Sequence, residues 1–262
     1  MTGTRRLMGM LLPGMLFLGL VLAGCRPAPE APAEERVQVA VYFGDAMAQF
    51  TVPEDRVIEL RGRPLVVRVL EELVAGPRTP GLHATLPTGT RVLGATVEGG
   101  VARVDFSREL VDNHPGGSTG EFMTINAIVY TLTDLEGVEA VTILVDGTPL
   151  DTLAGHMDLL ENLPRGGIRS APVFVDLDRV AWLQDQVDRG QEVWRLDPVE
   201  VARRDGRMAG FRLADEFRLF GVEAGVALVE ATHQGRVHFI RLRQPVRAGP
   251  GGVWVIDAID MD

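Results

Sequence analysis

The sequence predicts an α+β protein, a β-α-β-β-α-β module with two helices packed on a small sheet, followed by a smaller mainly-β module. Three observations carry this. Apolar residues recur at helical spacing between Leu65 and Leu73 and again between Phe122 and Leu132. Short β-branched runs bounded by Gly and Pro surround both stretches. The charge balance also shifts along the chain, with 14 Arg against 25 acids from Cys25 to Gly190 and 10 Arg against 11 acids from Gln191 to Asp262, which suggests two modules.

The chain opens with Arg5-Arg6 and an apolar run from Leu7 to Leu22, ending in Leu22-Ala23-Gly24-Cys25. This is the layout of a secretory signal peptide, expected over residues 1–24. The run is about 16 residues, short of the roughly 20 that span a bilayer, and Pro13-Gly14 interrupts it. A cleavage motif ending in Cys resembles the lipobox of bacterial lipoproteins, in which the thiol takes a diacylglycerol and the peptide is cut in front of it. Cys25 is therefore the expected lipid attachment site. It is the only Cys in the chain, so no disulfide can form within it.

From Cys25 to Arg36 the sequence is mainly Pro, Ala and Glu, with no large apolar residue to build a core. It reads as an extended tether, which at about 3.1 Å per residue spans roughly 30 Å. Val37 to Phe43 is a first strand, with shorter extended pieces at Phe50-Thr51-Val52 and Val57 to Leu60 around Pro53. Leu65, Val66, Val69, Leu70 and Leu73 fall on one helical face, with Pro64 placed for a first turn and Gly76-Pro77 as the stop. Arg91 to Glu98 and Val101 to Phe106 form a half-buried hairpin through Gly99-Gly100, with Ala102, Val104 and Phe106 facing one way. Ser118 three residues before Glu121 predicts a capping box, and Phe122, Ile125, Val129 and Leu132 an apolar stripe behind it. Ala140 to Val145 is the last strand of the module, ending at the turn pair Asp146-Gly147.

The phrases VAVYFGD, FTVPEDR, LEELVAGP, LPTGT, VARVDFSREL, GSTGEFMTINAIVYTLTDLEGVEAVTILVDG and GHMDL follow in that order from Val39 to Leu159. Together they resemble the GerMN domain of sporulation and spore-germination lipoproteins, in a single copy over residues 37–165. The resemblance implies a compact α+β fold related to ring-building modules of secretion and sporulation assemblies, an envelope setting, and no catalytic residues.

Residues 166–190 read as a linker, in which Val180, Leu183 and Val187 suggest a strand and a short helix. Residues 191–262 read as a β-rich module. Its strand-length runs are Leu213 to Phe220, Gly225 to Thr232, Arg236 to Gln244 and Val253 to Ile259, with turns at Gln234-Gly235 and Pro250-Gly251-Gly252. Val253-Trp254-Val255-Ile256 is continuously apolar and expected to lie centrally.

Composition and spacing exclude several chemistries. Without Arg5 and Arg6 the chain has 24 basic residues, all Arg, against 36 acidic ones, a formal charge of −12 that repels nucleic acid. Having no Lys, it lacks the residue that completes a Walker loop. His83, His114, His156, His233 and His238 show no zinc-hydrolase spacing, although His233 and His238 straddle a turn. Gly116-Gly117-Ser118-Thr119-Gly120 approaches a nucleophile elbow, but it follows the loop Asn113-His114-Pro115 where an elbow follows a strand. Asp105 with Glu109, and Asp112 with Glu121, are the available carboxylate pairs for glycan cleavage. Arg241, Arg243 and Arg247 form either a basic stripe for an acidic polymer or exposed charges with acidic partners.

The sequence therefore reads as a non-enzyme with no cofactor and no metal. It is expected on the extracytoplasmic face of a bacterial membrane, attached through lipid on Cys25 and contacting envelope proteins or copies of itself. The alternative is a lipoprotein that binds a cell-wall fragment or small molecule, peptidoglycan included, in a pocket near Trp182 and Trp194. A peptidoglycan hydrolase using Ser118, Asp105 and His114 is the third reading.

Overall fold

The computed structural model describes residues 35–260, which belong to one compact unit; Cys25, the signal segment and all but the end of the tether lie outside them. The fold is α+β. Strand β1 (Arg36–Gly44) starts one residue earlier than predicted and pairs antiparallel with β2 (Thr51–Glu59), from Arg36 opposite Glu59 to Gly44 opposite Thr51. These two strands form a sheet of their own, and the extended pieces around Pro53 are one strand. Tyr42, opposite Pro53, sends its N–H away from β2 to Thr131 Oγ1 at 3.0 Å. The pair is thus of the non-hydrogen-bonded kind, where proline removes no ladder bond.

Helix α1 (Leu65–Val74) buries Val66, Val67, Val69, Leu70 and Leu73, with Pro64 at its N-cap and Gly76 beyond its end at φ 83°. Strands β3 (Val92–Glu98) and β4 (Val101–Phe106) are the predicted hairpin. Gly99 and Gly100, at φ 56° and 81°, supply the two positive angles of its turn. After the one-turn helix α2 (Glu109–Asp112), helix α3 (Ser118–Thr133) crosses over to β5 (Ala140–Val145), which lies parallel to β4. Two-residue strands β6 (Thr148–Pro149) and β7 (Leu163–Pro164) add to β5, giving the order β3-β4-β5-β6 with β7 also on β5.

Two expectations for α3 are corrected. Its N-cap is Gly117, and no side chain caps it. The Glu121 carboxylate points instead into the protein, where four donors of residues 152–156 hold it. Nor is the buried surface a narrow stripe. Met123, Thr124, Ile125, Ala127 and Ile128 to Thr133 are all buried, because α3 packs against the β1–β2 hairpin, α1 and β5 at once.

Strand β8 (Ala171–Pro172) and helix α4 (Leu177–Asp188) follow, then a 3-10 turn at Val193–Leu196, helix α5 (Pro198–Asp205) and a second 3-10 turn at Gly206–Ala209. The sequence reading placed β structure from Gln191 onward; residues 193–209 are helical. The missed signal is Asp197 before Pro198, where the carboxylate accepts from Val199 N–H and the proline takes the first helical position. Strands β9 (Glu216–Glu223), β10 (Val226–His233), β11 (Arg236–Arg243) and β12 (Val255–Ile259) complete an antiparallel sheet in the order β8-β12-β11-β10-β9. One face packs on α5 through Ala227, Val229, Ala231, Ile240 and Leu242, all fully buried. Val253 to Ile256 are buried as expected, with β12 lying between β8 and β11. One apolar cluster runs without a break from Val39 and Phe43 through α3 to Val201, Phe211 and Ile259. Among the described residues no helix is long and apolar enough to cross a membrane.

Candidate ligand-binding cleft

Two lobes of a cleft meet at Arg179, Leu183 and Asp205, which line both. The first, of about 50 Å³, is walled by Val173, Val175, Val180, Met208, Val255 and Ile256. The second, of about 290 Å³, is polar and bounded by Glu54, Asp55, Glu192, Trp194, Arg195 and Arg204.

The local sequence explains how Arg179 comes to stand there. Asp176 caps α4, its Oδ1 accepting from Asp178 N–H at 3.0 Å and Arg179 N–H at 3.1 Å. Val180 and Leu183 turn inward, and Arg179, four residues before Leu183, falls beside them on the same helical face. Gly81, at φ 78°, lies against this first turn. A methyl group there would sit 2.7 Å from Asp176 Oδ2 and 3.1 Å from Arg179 Cβ, so the backbone reaches the helix only without a side chain.

Across the cleft, buried Arg195 donates to Glu192 Oε2 and Asp205 Oδ2, both at 2.7 Å. Its guanidinium lies 4.1 Å from the Trp194 ring centre, and that of Arg204 lies 4.8 Å away. Arg179 is different. Its Nε is shielded from solvent, and its guanidinium makes no hydrogen bond or ion pair with any described residue. The two cations titrate in opposite directions. Burial lowers both, but at Arg195 the bonded Asp205 and Glu192 carboxylates overturn it and raise the group above the ordinary Arg value. Arg179 stays depressed by burial, since Asp205, Asp176 and Glu192 act only at a distance and Arg195 repels it.

A second polar cluster joins distant segments. Tyr42 Oη donates to Asp134 Oδ2 at 3.0 Å, Arg165 donates to Asp134 Oδ1 at 3.0 Å, and Arg207 donates to Asp134 Oδ2 at 2.8 Å and Asp55 Oδ1 at 2.9 Å. Asp134 takes three donors here, which fits a structural joint, while Arg165 Nε is left without a partner among the described residues.

The groups singled out for catalysis are dispersed. Ser118 is exposed at the start of α3. His114 Nδ1 accepts from Gly116 N–H at 3.0 Å, so its Nε2–H faces Thr124 Oγ1 at 3.2 Å. Asp105 accepts from Gly147 N–H, Glu109 pairs with Arg91, Asp112 with Arg108, and Glu121 is buried in its loop. His83 and His156 are exposed. His233 and His238 both lie edge-on to Phe211, but each bonds a different carboxylate, Asp215 at 2.8 Å and Asp260 at 2.5 Å. Among the described residues no three His, Cys, Asp or Glu side chains are grouped to hold a metal ion. Arg241 and Arg243 pair with Asp257, and Arg247 with Asp188, which favours exposed charges with acidic partners. Of the two tryptophans expected at a pocket, only Trp194 lines the cleft. Trp182 packs on Leu183, Val187 and Val253.

A family model described as Germane, sporulation and spore germination, matches residues 40–151. No curated protein matches the chain. Among solved structures, a candidate lipoprotein from Clostridium perfringens is 25% identical, with 50% of this chain and 88% of that one covered and a TM-score of 0.36. The tandem GerMN domains of the sporulation protein GerM from Bacillus subtilis are 16% identical, with 86% and 62% covered and a TM-score of 0.45. The first GerMN domain of that protein alone is 21% identical, with 49% and 98% covered and a TM-score of 0.39. Residues 40–151 thus match a GerMN-related domain model, the stretch in which the sequence resembles a GerMN domain.

Proposed function

We propose that the protein is a lipid-anchored, non-catalytic component of the bacterial cell envelope that works in sporulation or spore germination by contacting envelope proteins or copies of itself. The observation that carries this is the family match over residues 40–151. His114 bonds Gly116 and Thr124 while Asp105 bonds Gly147, so these two are not paired with each other. Lipid on Cys25 confines the domain to the extracytoplasmic face of the membrane, and that confinement raises the effective concentration of any partner there.

Photo-crosslinking in living cells, followed by capture of the full chain, tests it. Capture of defined envelope proteins, or of the chain itself, that is lost in Cys25→Ala supports the reading. A Cys25→Ser variant still processed and held on the membrane, or an empty capture at normal abundance, overturns it. A second reading, binding of a cell-wall fragment or small molecule, is favoured by the cleft that joins a lobe rich in aliphatic side chains to a polar lobe lined by Trp194.

A further inference from the structure

We infer that the Arg179 cleft binds a monocarboxylate carrying a small aliphatic group, with the carboxylate on the Arg179 guanidinium and the aliphatic group in the lobe walled by Val173, Val175, Val180, Met208, Val255 and Ile256. The inference rests on the second reading above and adds its ligand class.

Three features select this chemistry. Arg179 presents a guanidinium fork with no acceptor among the described residues, while neighbouring Arg195, Arg204 and Arg207 each hold carboxylates. A planar carboxylate matches such a fork with two parallel bonds. The carboxylates of Asp176, Asp205 and Glu192 lie close enough to act on Arg179, yet each is engaged elsewhere, by α4 amides or by Arg195. That ring of carboxylates repels a dianion such as phosphate about twice as strongly as a monoanion, so a single negative charge on the ligand is the better match. The adjoining lobe sets the aliphatic side chains of Val173, Val175, Val180, Met208, Val255 and Ile256 beside Asp45, Asp176 and Asp205, and its volume of about 50 Å³ has room for a few carbons but not for a sugar ring.

The geometry of Gly81 supports a built site. Its missing side chain lets the loop close against Asp176 and Arg179, which fixes the guanidinium between the lobes.

The test titrates isobutyrate, isobutyramide and N-acetyl-alanyl-alanine into the full chain in detergent, followed by calorimetry and Trp fluorescence, with Arg179→Met and Trp194→Phe variants. A ligand of about six non-hydrogen atoms supports a Kd of roughly 1–10 mM. Saturable binding of isobutyrate, at least tenfold weaker for isobutyramide and for Arg179→Met, is the expected result. Trp194→Phe should keep the heat of binding and lose the fluorescence change. Tighter binding of the dipeptide than of isobutyrate marks a peptide end as the source, and the reverse marks a free short-chain acid. Equal binding of acid and amide, or binding unchanged in Arg179→Met, overturns the carboxylate assignment while leaving a ligand site in place. No saturable response to any of the three probes overturns both.

Discussion

Arg165 and Tyr42, 123 residues apart in the chain, meet through a hydrogen bond of 3.0 Å from the guanidinium to the phenol oxygen. The same nitrogen also donates to the Arg207 carbonyl at 2.8 Å. A residue of the first strand, the one that follows β7 and one from the second 3-10 turn are thereby tied into one buried joint. Burial, with Asp134 adding to it, raises the Tyr42 hydroxyl far above its ordinary value, so it stays a neutral donor. Burial alone would lower Arg165 and Arg207, but Tyr42 and Asp134, with Asp55 at Arg207, hold both above the usual Arg value.

Removing one member of this joint weakens the others. Arg165→Met is expected to cost about 2–4 kcal/mol, because Asp134 loses one of its two buried counterions and keeps Arg207. Tyr42→Phe is expected to cost about 1–2 kcal/mol. Urea unfolding of each variant checks the order; equal costs would show that the charges of the joint do not dominate it.

The Glu121 loop should make stability pH-dependent. Burial opposes its charge, but N–H groups of Ala154, His156 and Leu153 and the Thr152 hydroxyl overcome it and hold the carboxyl below its ordinary 4.5. A lowered folded-state pKa stabilises above the unfolded value, so this contribution is complete above pH 4.5 and fades as the pH falls through the folded value. Glu121→Gln is expected to cost about 2–3 kcal/mol at neutral pH and to flatten the acid limb of the stability profile. A limb as steep as before would assign it to other carboxylates, Asp260 first among them, whose charge His238 and the Phe239 N–H sustain against burial.

Arg179→Met should stabilise the fold. It replaces a half-buried cation that lacks a partner among the described residues with an apolar side chain of similar length, a change expected to add about 1–2 kcal/mol. A drop in the denaturant midpoint would show that Arg179 has a structural role.

Gly81→Ala should act in the opposite sense. At φ 78°, with its new methyl 2.7 Å from Asp176 Oδ2, it strains the backbone and displaces the cap of α4 at a cost of about 2–4 kcal/mol. Thermal unfolding measures the loss, and an unchanged midpoint would mean that the loop moves freely.

Most of the fold was legible because its signals are local. The α1 face, the Gly99-Gly100 hairpin, the Asp146-Gly147 turn and the tail strands follow from spacing and turn chemistry over fewer than about ten residues each. Where the reading failed at α3, a distant partner decided. Ser118 and Glu121 have capping-box spacing, but the loop 152–156 takes the carboxylate. Residues 193–209 were read as part of a β module although Asp197-Pro198 marks a helix start, since one short helix among strand-like runs carries little periodicity. The cleft was only half visible. Trp194 was singled out, whereas Arg179 has no motif around it and becomes notable only when the fold shows that its neighbours' charges are already taken.

The all-arginine composition has a chemical side. Guanidinium groups lie on the rings of Phe43, Phe50, Tyr130, Trp194 and Phe217, flat contacts that a lysine ammonium does not reproduce. At these sites an exchange to lysine is not neutral. With no side-chain amine anywhere in the sequence, the chain is also a poor substrate for acylation, carbamylation and glycation of lysine. Among the described residues the exposed side-chain nitrogen bases are imidazoles such as those of His83 and His156, so a reagent directed at lysine finds nothing to label.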